Sequence, residues 1–149
     1  MPRFSLICTA TQQEVEIEAK VDLGLPMVLA DPIQIEQVLL NLLRNAMEAM
    51  EAASAEQRSI IIEARHSAKR AIEISVTDTG PGVAIEMTKT IFEPFTTTKS
   101  LGLGMGLSIS RAIIESHGGS LRLARGVRSG AMFIFDLPTA ETETSPDAG

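Results

Sequence analysis

Residues Asp31 to Met50, DPIQIEQVLLNLLRNAMEAM, constrain the fold more than any other stretch. Asp31 has a side chain suited to an N-cap, Pro32 fits the first helical position, and Gln34 can close a capping box. At 100° per residue, Ile35, Val38, Leu39, Leu42, Leu43, Ala46, Ala49 and Met50 fall on one broad apolar face. A helix with so wide a buried face needs a sheet or other helices to cover it. The opposite stripe carries Gln34, Gln37, Asn41, Asn45 and Glu48, with Arg44 at its border. Solvated helix faces usually carry Lys and Glu, whereas Asn is a poor helix former with a short amide. Asn41 and Asn45, one turn apart, therefore either belong to an amide-rich solvated face or aim side-chain oxygens at a metal ion or ligand.

The remainder of the chain can supply the cover. At 149 residues with 44% hydrophobic side chains, it can build one sizeable core. Five Phe and no Trp or Tyr make that core aliphatic and Met-rich. Glu14 to Val21 alternates apolar and charged residues as a half-buried strand does, and Met27 to Ala30 reads as a second, short strand. Ser59 to Arg65 and Ala71 to Thr77 form a hairpin pair around a turn at Ser67 to Arg70. Ile72, Ile74 and Val76 point to one side. A short helix is expected from Ile85 to Thr90. A second, from Leu107 to His117, ends at Gly118-Gly119. Strands at Ser120 to Ala124 and Ala131 to Leu137 follow, and Pro138 stops the last. Paired strands, without strict alternation with helices, predict an α+β two-layer sandwich with a mixed sheet. Residues 3–13 read as a short helical remnant or loop joining an upstream helical domain, and 139–149, TAETETSPDAG, as a disordered acidic tail.

Composition removes several function classes. A net charge of −6 argues against a general nucleic-acid or anionic-membrane binder. No apolar run reaches the ~18 residues that span a bilayer, so no membrane contact is expected of this fragment. The single Cys8 rules out an internal disulfide framework and suits a reducing, cytoplasmic setting. No His and Cys spacing suggests a metal cluster. His66 falls at a strand end, and His117 at a helix C-terminus where it can cap carbonyls.

Two glycine-rich segments invite ligand readings. Asp78-Thr79-Gly80-Pro81-Gly82 is either a plain turn or a strand-end carboxylate beside backbone that a ligand can approach closely. An ionised Asp only accepts hydrogen bonds, which suits a donor such as the adenine amino group and disfavours the guanine carbonyl. Gly102-Leu103-Gly104-Met105-Gly106-Leu107 runs directly into a helix. It is either a flexible linker or a phosphate site of free N–H groups at a helix N-terminus. It matches neither the dinucleotide fingerprint nor a P-loop. Lys99 could meet a terminal phosphate or be a solvated surface lysine. Phe92 and Phe95, around a proline, suit core or lid-anchoring positions.

Taken in order, Asn41-Leu-Leu-Arg-Asn45, Asp78-x-Gly80-x-Gly82, Phe92-Glu-Pro-Phe95 and Gly102-x-Gly104-x-Gly106-Leu107 resemble the N, G1, F and G2 boxes of sensor histidine kinases. The run PFTTTKSLGLGMGLSISRAIIESHGG is most similar to the oxygen-sensing and nitrogen-regulating members. The resemblance covers about residues 14–138 and implies a Bergerat ATP-binding fold. It implies about five mixed strands against about three helices, with residues 96–106 as a mobile ATP lid. It makes Asn45 the Mg²⁺ ligand, places Asn41 near the phosphates, and sets Asp78 on the adenine amino group with Gly80 and Gly82 lining the base pocket. Lys99, Gly102, Gly104, Met105, Gly106 and Leu107 complete the ATP site, with Asn41, Asn45 and Lys99 as its catalytic groups. One departure is Ala131 after Gly130, where many relatives carry Ser or Thr near the adenine pocket.

The implied activity is transfer of the ATP γ-phosphoryl group to a histidine on a separate dimerisation domain, with a response regulator downstream. Neither His66 nor His117 resembles the acceptor box, so the fragment is expected to bind ATP·Mg²⁺ without phosphorylating itself. The alternatives are an ATP-hydrolysing relative, a serine kinase of the anti-sigma type, and a nucleotide-binding scaffold. Hydrolysing relatives carry a water-activating Glu where this chain has Asn41.

Overall fold

The computed structural model describes residues 3–9, 14–52, 58–67, 70–88, 90–93, 106–124 and 130–140. Its order is β1 (Arg3–Thr9), β2 (Glu14–Val21), α1 (Pro32–Ala52), β3 (Ser59–Ser67), β4 (Ala71–Asp78), a 3-10 turn (Ile85–Met87), α2 (Gly106–Ser116), β5 (Leu121–Leu123) and β6 (Met132–Pro138). The strands make one sheet in the order β1-β2-β3-β4-β6-β5. Only β2 and β3 run parallel, as the α1 crossover between them requires. The other pairings are antiparallel, including the expected β3–β4 hairpin, which sets Ile62 against Val76 and Ile60 against Asp78. The expected α+β two-layer sandwich with a mixed sheet is therefore what forms.

The core lies between the helices and one sheet face. From α1, Val38, Leu42, Ala46 and Met50 form a stripe that is 0 to 5% exposed. The sheet answers with Ile60, Val76, Phe133, Phe135 and Leu137, while Ile114 comes from α2. Fully burying each large aliphatic side chain contributes about 1.5–3 kcal/mol. The other sheet face carries exposed or half-buried charges, with Arg65 near Glu63 and Glu73, and Arg122 3.3 Å from Glu73. Such pairs contribute at most about 1 kcal/mol each, so they mark the solvated side and do not hold the fold.

The helix ends are tied to each other. Asp31 Oδ1 accepts the Ile33 and Gln34 N–H groups at 3.0 and 3.4 Å, the expected N-cap. The return half of the capping box is replaced: Asp31 N–H donates to His117 Nε2 at 3.1 Å instead of to Gln34. His117 Nδ1 lies 2.8 Å from the Ile113 carbonyl, so it carries the proton and donates back into α2. Gly118 and Gly119 close α2 through N–H bonds to the Glu115 and Ile114 carbonyls, a Schellman arrangement.

Three further expectations are corrected. Residues 3–9, read as a helical remnant or loop, are strand β1, paired with β2 from Arg3↔Lys20 to Thr9↔Glu14. The short strand at Met27–Ala30 is a single bridge, Val28↔Thr139. The tail does not begin at Thr139, which is buried and donates to the Arg70 carbonyl, while Ala140 N–H donates to the Met27 carbonyl. Residues 141–149 lie outside the described residues.

Removing core volume is expected to cost far more than trimming the exposed side of the same helix. Leu42→Ala, at 1% exposure, should lose about 2–5 kcal/mol in denaturant unfolding. Leu40→Ala, at 53% exposure, should stay within about 0.5 kcal/mol of the parent.

Candidate nucleotide site

Asp78 ends β4 on the sheet face that α1 covers, and it is 6% exposed. Its Oδ1 accepts the Gly80 N–H at 2.8 Å and the Ala131 N–H at 3.3 Å. Among the described residues, no donor reaches Oδ2. Burial raises the Asp78 pKa above the ordinary carboxylate value, because desolvation outweighs the two backbone donors, which act to lower it. The carboxylate thus keeps an acceptor oxygen with no partner among the described residues in a partly desolvated place. That is costly as scaffold and useful for recognising a ligand N–H.

Glycines make the surrounding backbone compact. Gly130 has φ +77°, and a Cβ there would sit 1.8 Å from the Asp78 carbonyl oxygen, so no side chain fits. Gly82, at φ +84°, would bring a Cβ to 2.9 Å from the Gly130 carbonyl. Gly80 packs on the Met50 side chain, and the Thr79 hydroxyl reaches Met50 sulfur at 3.4 Å. The Asp78–Gly82 turn is therefore wedged between the end of α1 and the start of β6.

Asn41 and Asn45 are half-buried on α1, each one residue before a member of the buried stripe. Asn41 faces the start of α2. Its Nδ2 donates to Ser110 Oγ at 3.1 Å and approaches the Gly106 carbonyl at 3.5 Å. Asn45 lies one turn further along, toward the Met50 end that touches the Asp78 turn. Gly106 and Leu107 form the first turn of α2 and line the same side. Phe92 stacks edge-on against Phe133, with centroids 6.1 Å apart, and the Arg111 guanidinium lies 5.1 Å above its ring. Phe92 thus packs against the core, one of the two positions expected for it; the lid-anchoring alternative concerns residues outside those described. Lys99, Gly102, Gly104, Met105 and Phe95, and with them almost all of the expected lid at 96–106, lie outside the described residues.

The structure thus sets Asn41 against Gly106 at the start of α2, and Asp78 with Gly80 and Gly82 at the Met50 end of the same helix α1, with Asn45 between the two along the helix. His66 is exposed on β3 and His117 sits at the far ends of the helices; neither belongs to this group. Sequence reasoning missed two contributors. The backbone N–H of Ala131 holds Asp78, and no side-chain pattern betrays a main-chain donor. Ser110 holds Asn41, and only its i+4 spacing from Gly106 could have suggested it.

Among the described residues, no cluster of three His, Cys, Asp or Glu could hold a metal ion. A divalent cation here would need few protein ligands and oxygen from its own ligand, which is how Mg²⁺ accompanies phosphates. A side-chain amide such as Asn45 fits that demand. No helix among the described residues is long and apolar enough to cross a membrane.

The chain is thus an α/β sandwich with a buried carboxylate in a glycine-lined turn that packs on the end of an amide-bearing helix. The chain belongs to the histidine kinase-, DNA gyrase B-, and HSP90-like ATPase family, whose model matches residues 30–141. It is 44% identical to the sensor protein FixL of Bradyrhizobium diazoefficiens over 132 residues, 89% of this chain and 26% of that protein. It is 39% identical to the C4-dicarboxylate transport sensor protein DctS of Rhodobacter capsulatus, covering 89% of this chain and 20% of that protein. The chain therefore spans about a quarter or less of these relatives. Among solved structures, the catalytic domain of histidine kinase ThkA superposes with a TM-score of 0.69 at 38% identity, covering 81% of this chain and 76% of that one. Full-length ShkA in complex with AMPPNP gives a TM-score of 0.73 at 34% identity, covering 85% of this chain and 26% of that one.

Asp78→Asn separates the cost of the buried charge from its use. The amide oxygen can still accept from Gly80 and Ala131, while the desolvated charge is gone. The folded-state pKa is raised, so the charge penalises folding once pH exceeds the ordinary carboxylate value and the penalty vanishes below it. Asp78→Asn should therefore melt higher than the parent at pH 7, with the advantage shrinking as pH falls toward 3. Equal melting differences at both values would contradict this account.

Proposed function

We propose that this chain is the catalytic, ATP-binding domain of a sensor histidine kinase, spanning residues 3–140. It binds ATP·Mg²⁺ and delivers the γ-phosphoryl group to a histidine on a separate dimerisation domain, from which a response regulator is phosphorylated. The observation that carries the reading is Asp78, a buried carboxylate whose Oδ2 meets no protein donor among the described residues. Family membership and the kinship with sensor kinases support it.

In this reading the adenine amino group donates to Asp78, and the base lies against Gly80 and Gly82. The Gly130–Ala131 backbone closes the pocket, so the absent hydroxyl at 131 leaves recognition to the carboxylate. Asn45 supplies an oxygen to Mg²⁺, and Asn41 lies beside the phosphates. Gly106 and Leu107 offer backbone N–H groups at the start of α2, and the family resemblance assigns Gly102, Gly104, Met105 and Lys99 to the phosphates as well. Mg²⁺, when bound, supplies charge neutralisation across the phosphates. The chain's own contribution is positioning and fixed dipoles, the main requirements of phosphoryl transfer. An amide at 41 cannot serve as a general base, which favours a protein acceptor over water. The domain works in the cytoplasm.

The test supplies the dimerisation domain of a close relative in trans with γ-labelled ATP. Label should appear on that domain and on neither His66 nor His117. Asn45→Ala should abolish the Mg²⁺ dependence of ATP binding. Asp78→Asn should weaken ATP by about 10- to 100-fold, the range for losing a hydrogen bond to a charged group. Free phosphate released rapidly without any protein acceptor would instead identify a hydrolase.

A further inference from the structure

We propose that Ser110 is a positioning residue of the nucleotide site, tethering the Asn41 amide in the orientation that leaves its oxygen for the phosphates. The inference rests on the reading that ATP lies between α1 and the start of α2. Ser110 is a polar side chain with 0% exposure. It sits one turn into α2, and its Oγ lies 3.1 Å from Asn41 Nδ2. The same nitrogen approaches the Gly106 carbonyl at 3.5 Å.

An asparagine amide carries two donors on nitrogen and an acceptor oxygen, and rotation about its last bond exchanges them. A carbonyl can only accept, so Gly106 demands the nitrogen end. At 3.5 Å that contact is at the limit of a useful hydrogen bond and holds the amide weakly by itself. A hydroxyl could also donate, so the Gly106 carbonyl chooses the nitrogen end, and Ser110, accepting the second N–H at a better distance, tethers the amide once it is so turned. The consequence appears on the other side of the amide: Oδ1 is turned away from α2, and no donor among the described residues meets it. In the reading above it is left for the phosphate side, where it can accept from a Mg²⁺-bound water or add to the cation's oxygen shell. Without Ser110 the amide would rotate more freely and present its N–H groups there for part of the time.

Ser110 should therefore matter for the triphosphate and not for the base. Dissociation constants for ATP·Mg²⁺ and for adenosine are to be measured on the full chain. Ser110→Ala should weaken ATP·Mg²⁺ by about 3- to 10-fold, the range for one neutral hydrogen bond, while adenosine stays within about twofold. Ser110→Thr, which keeps the hydroxyl, should restore ATP·Mg²⁺ to within about twofold of the parent. A purely structural role would weaken both ligands alike, and that result overturns the proposal, as does an unchanged ATP constant. Should Ser110→Ala not fold, Ser110→Cys keeps the volume with a weaker acceptor and is read by the same ratio. If the parent chain binds neither ligand, the nucleotide reading itself fails. Parent binding of both, with no effect at Ser110, removes only this inference.

Discussion

The buried stripe of α1 is the contact on which the rest depends. Val38, Leu42, Ala46 and Met50 recur every fourth residue and lie against Ile60, Val76 and the β6 aromatics. At about 1.5–3 kcal/mol for each large side chain, this contact outweighs every exposed ion pair in the molecule. It also fixes a rotation. Asn41 and Asn45 precede Leu42 and Ala46 by one residue, so packing the stripe turns both amides through about 100° onto the flank that faces α2. The last member, Met50, touches the Asp78 turn through Thr79 and Gly80. One helix thus sets the angle of the amides and the depth of the carboxylate together.

Asp78 shows what the scaffold gives up. A carboxylate at 6% exposure is disfavoured by desolvation, and two backbone N–H groups only partly offset this. Both lie on Oδ1. Satisfying Oδ2 as well would stabilise the domain and leave no acceptor there for a ligand N–H. Gly130 makes the arrangement possible, because any Cβ there would collide with the Asp78 main chain.

Most of this was legible where the information is local. The α1 period, its Asp31 cap, the β3–β4 hairpin and the glycine end of α2 are written in neighbouring residues. So is the order of Asn41 and Asn45 on α1 and of Asp78, Gly80 and Gly82 in the turn that meets its Met50 end. What escaped depends on partners distant in sequence. Arg3–Thr9 becomes a strand only because β2 offers it an edge, and an isolated seven-residue segment carries no such signal. Met27–Ala30 looks like a strand but finds a single bridge partner. His117, 86 residues away, takes the Asp31 N–H that a capping box would have assigned to Gln34. Ala131 acts through its main chain, which its identity does not report.

The identity of residue 41 has a structural cause as well as a chemical consequence. In sequence, Asn41 is notable for not being the Glu that would activate water. In the fold, the side chain at 41 faces the Gly106 carbonyl and Ser110. An ionised Glu offers only acceptor oxygens, so it would set a carboxylate against a carbonyl. The close approach of α2 to α1 therefore favours a donor at this position. The same amide that ties the two helices together leaves no general base at this position, so helix packing and the chemistry open to the site are coupled at a single residue.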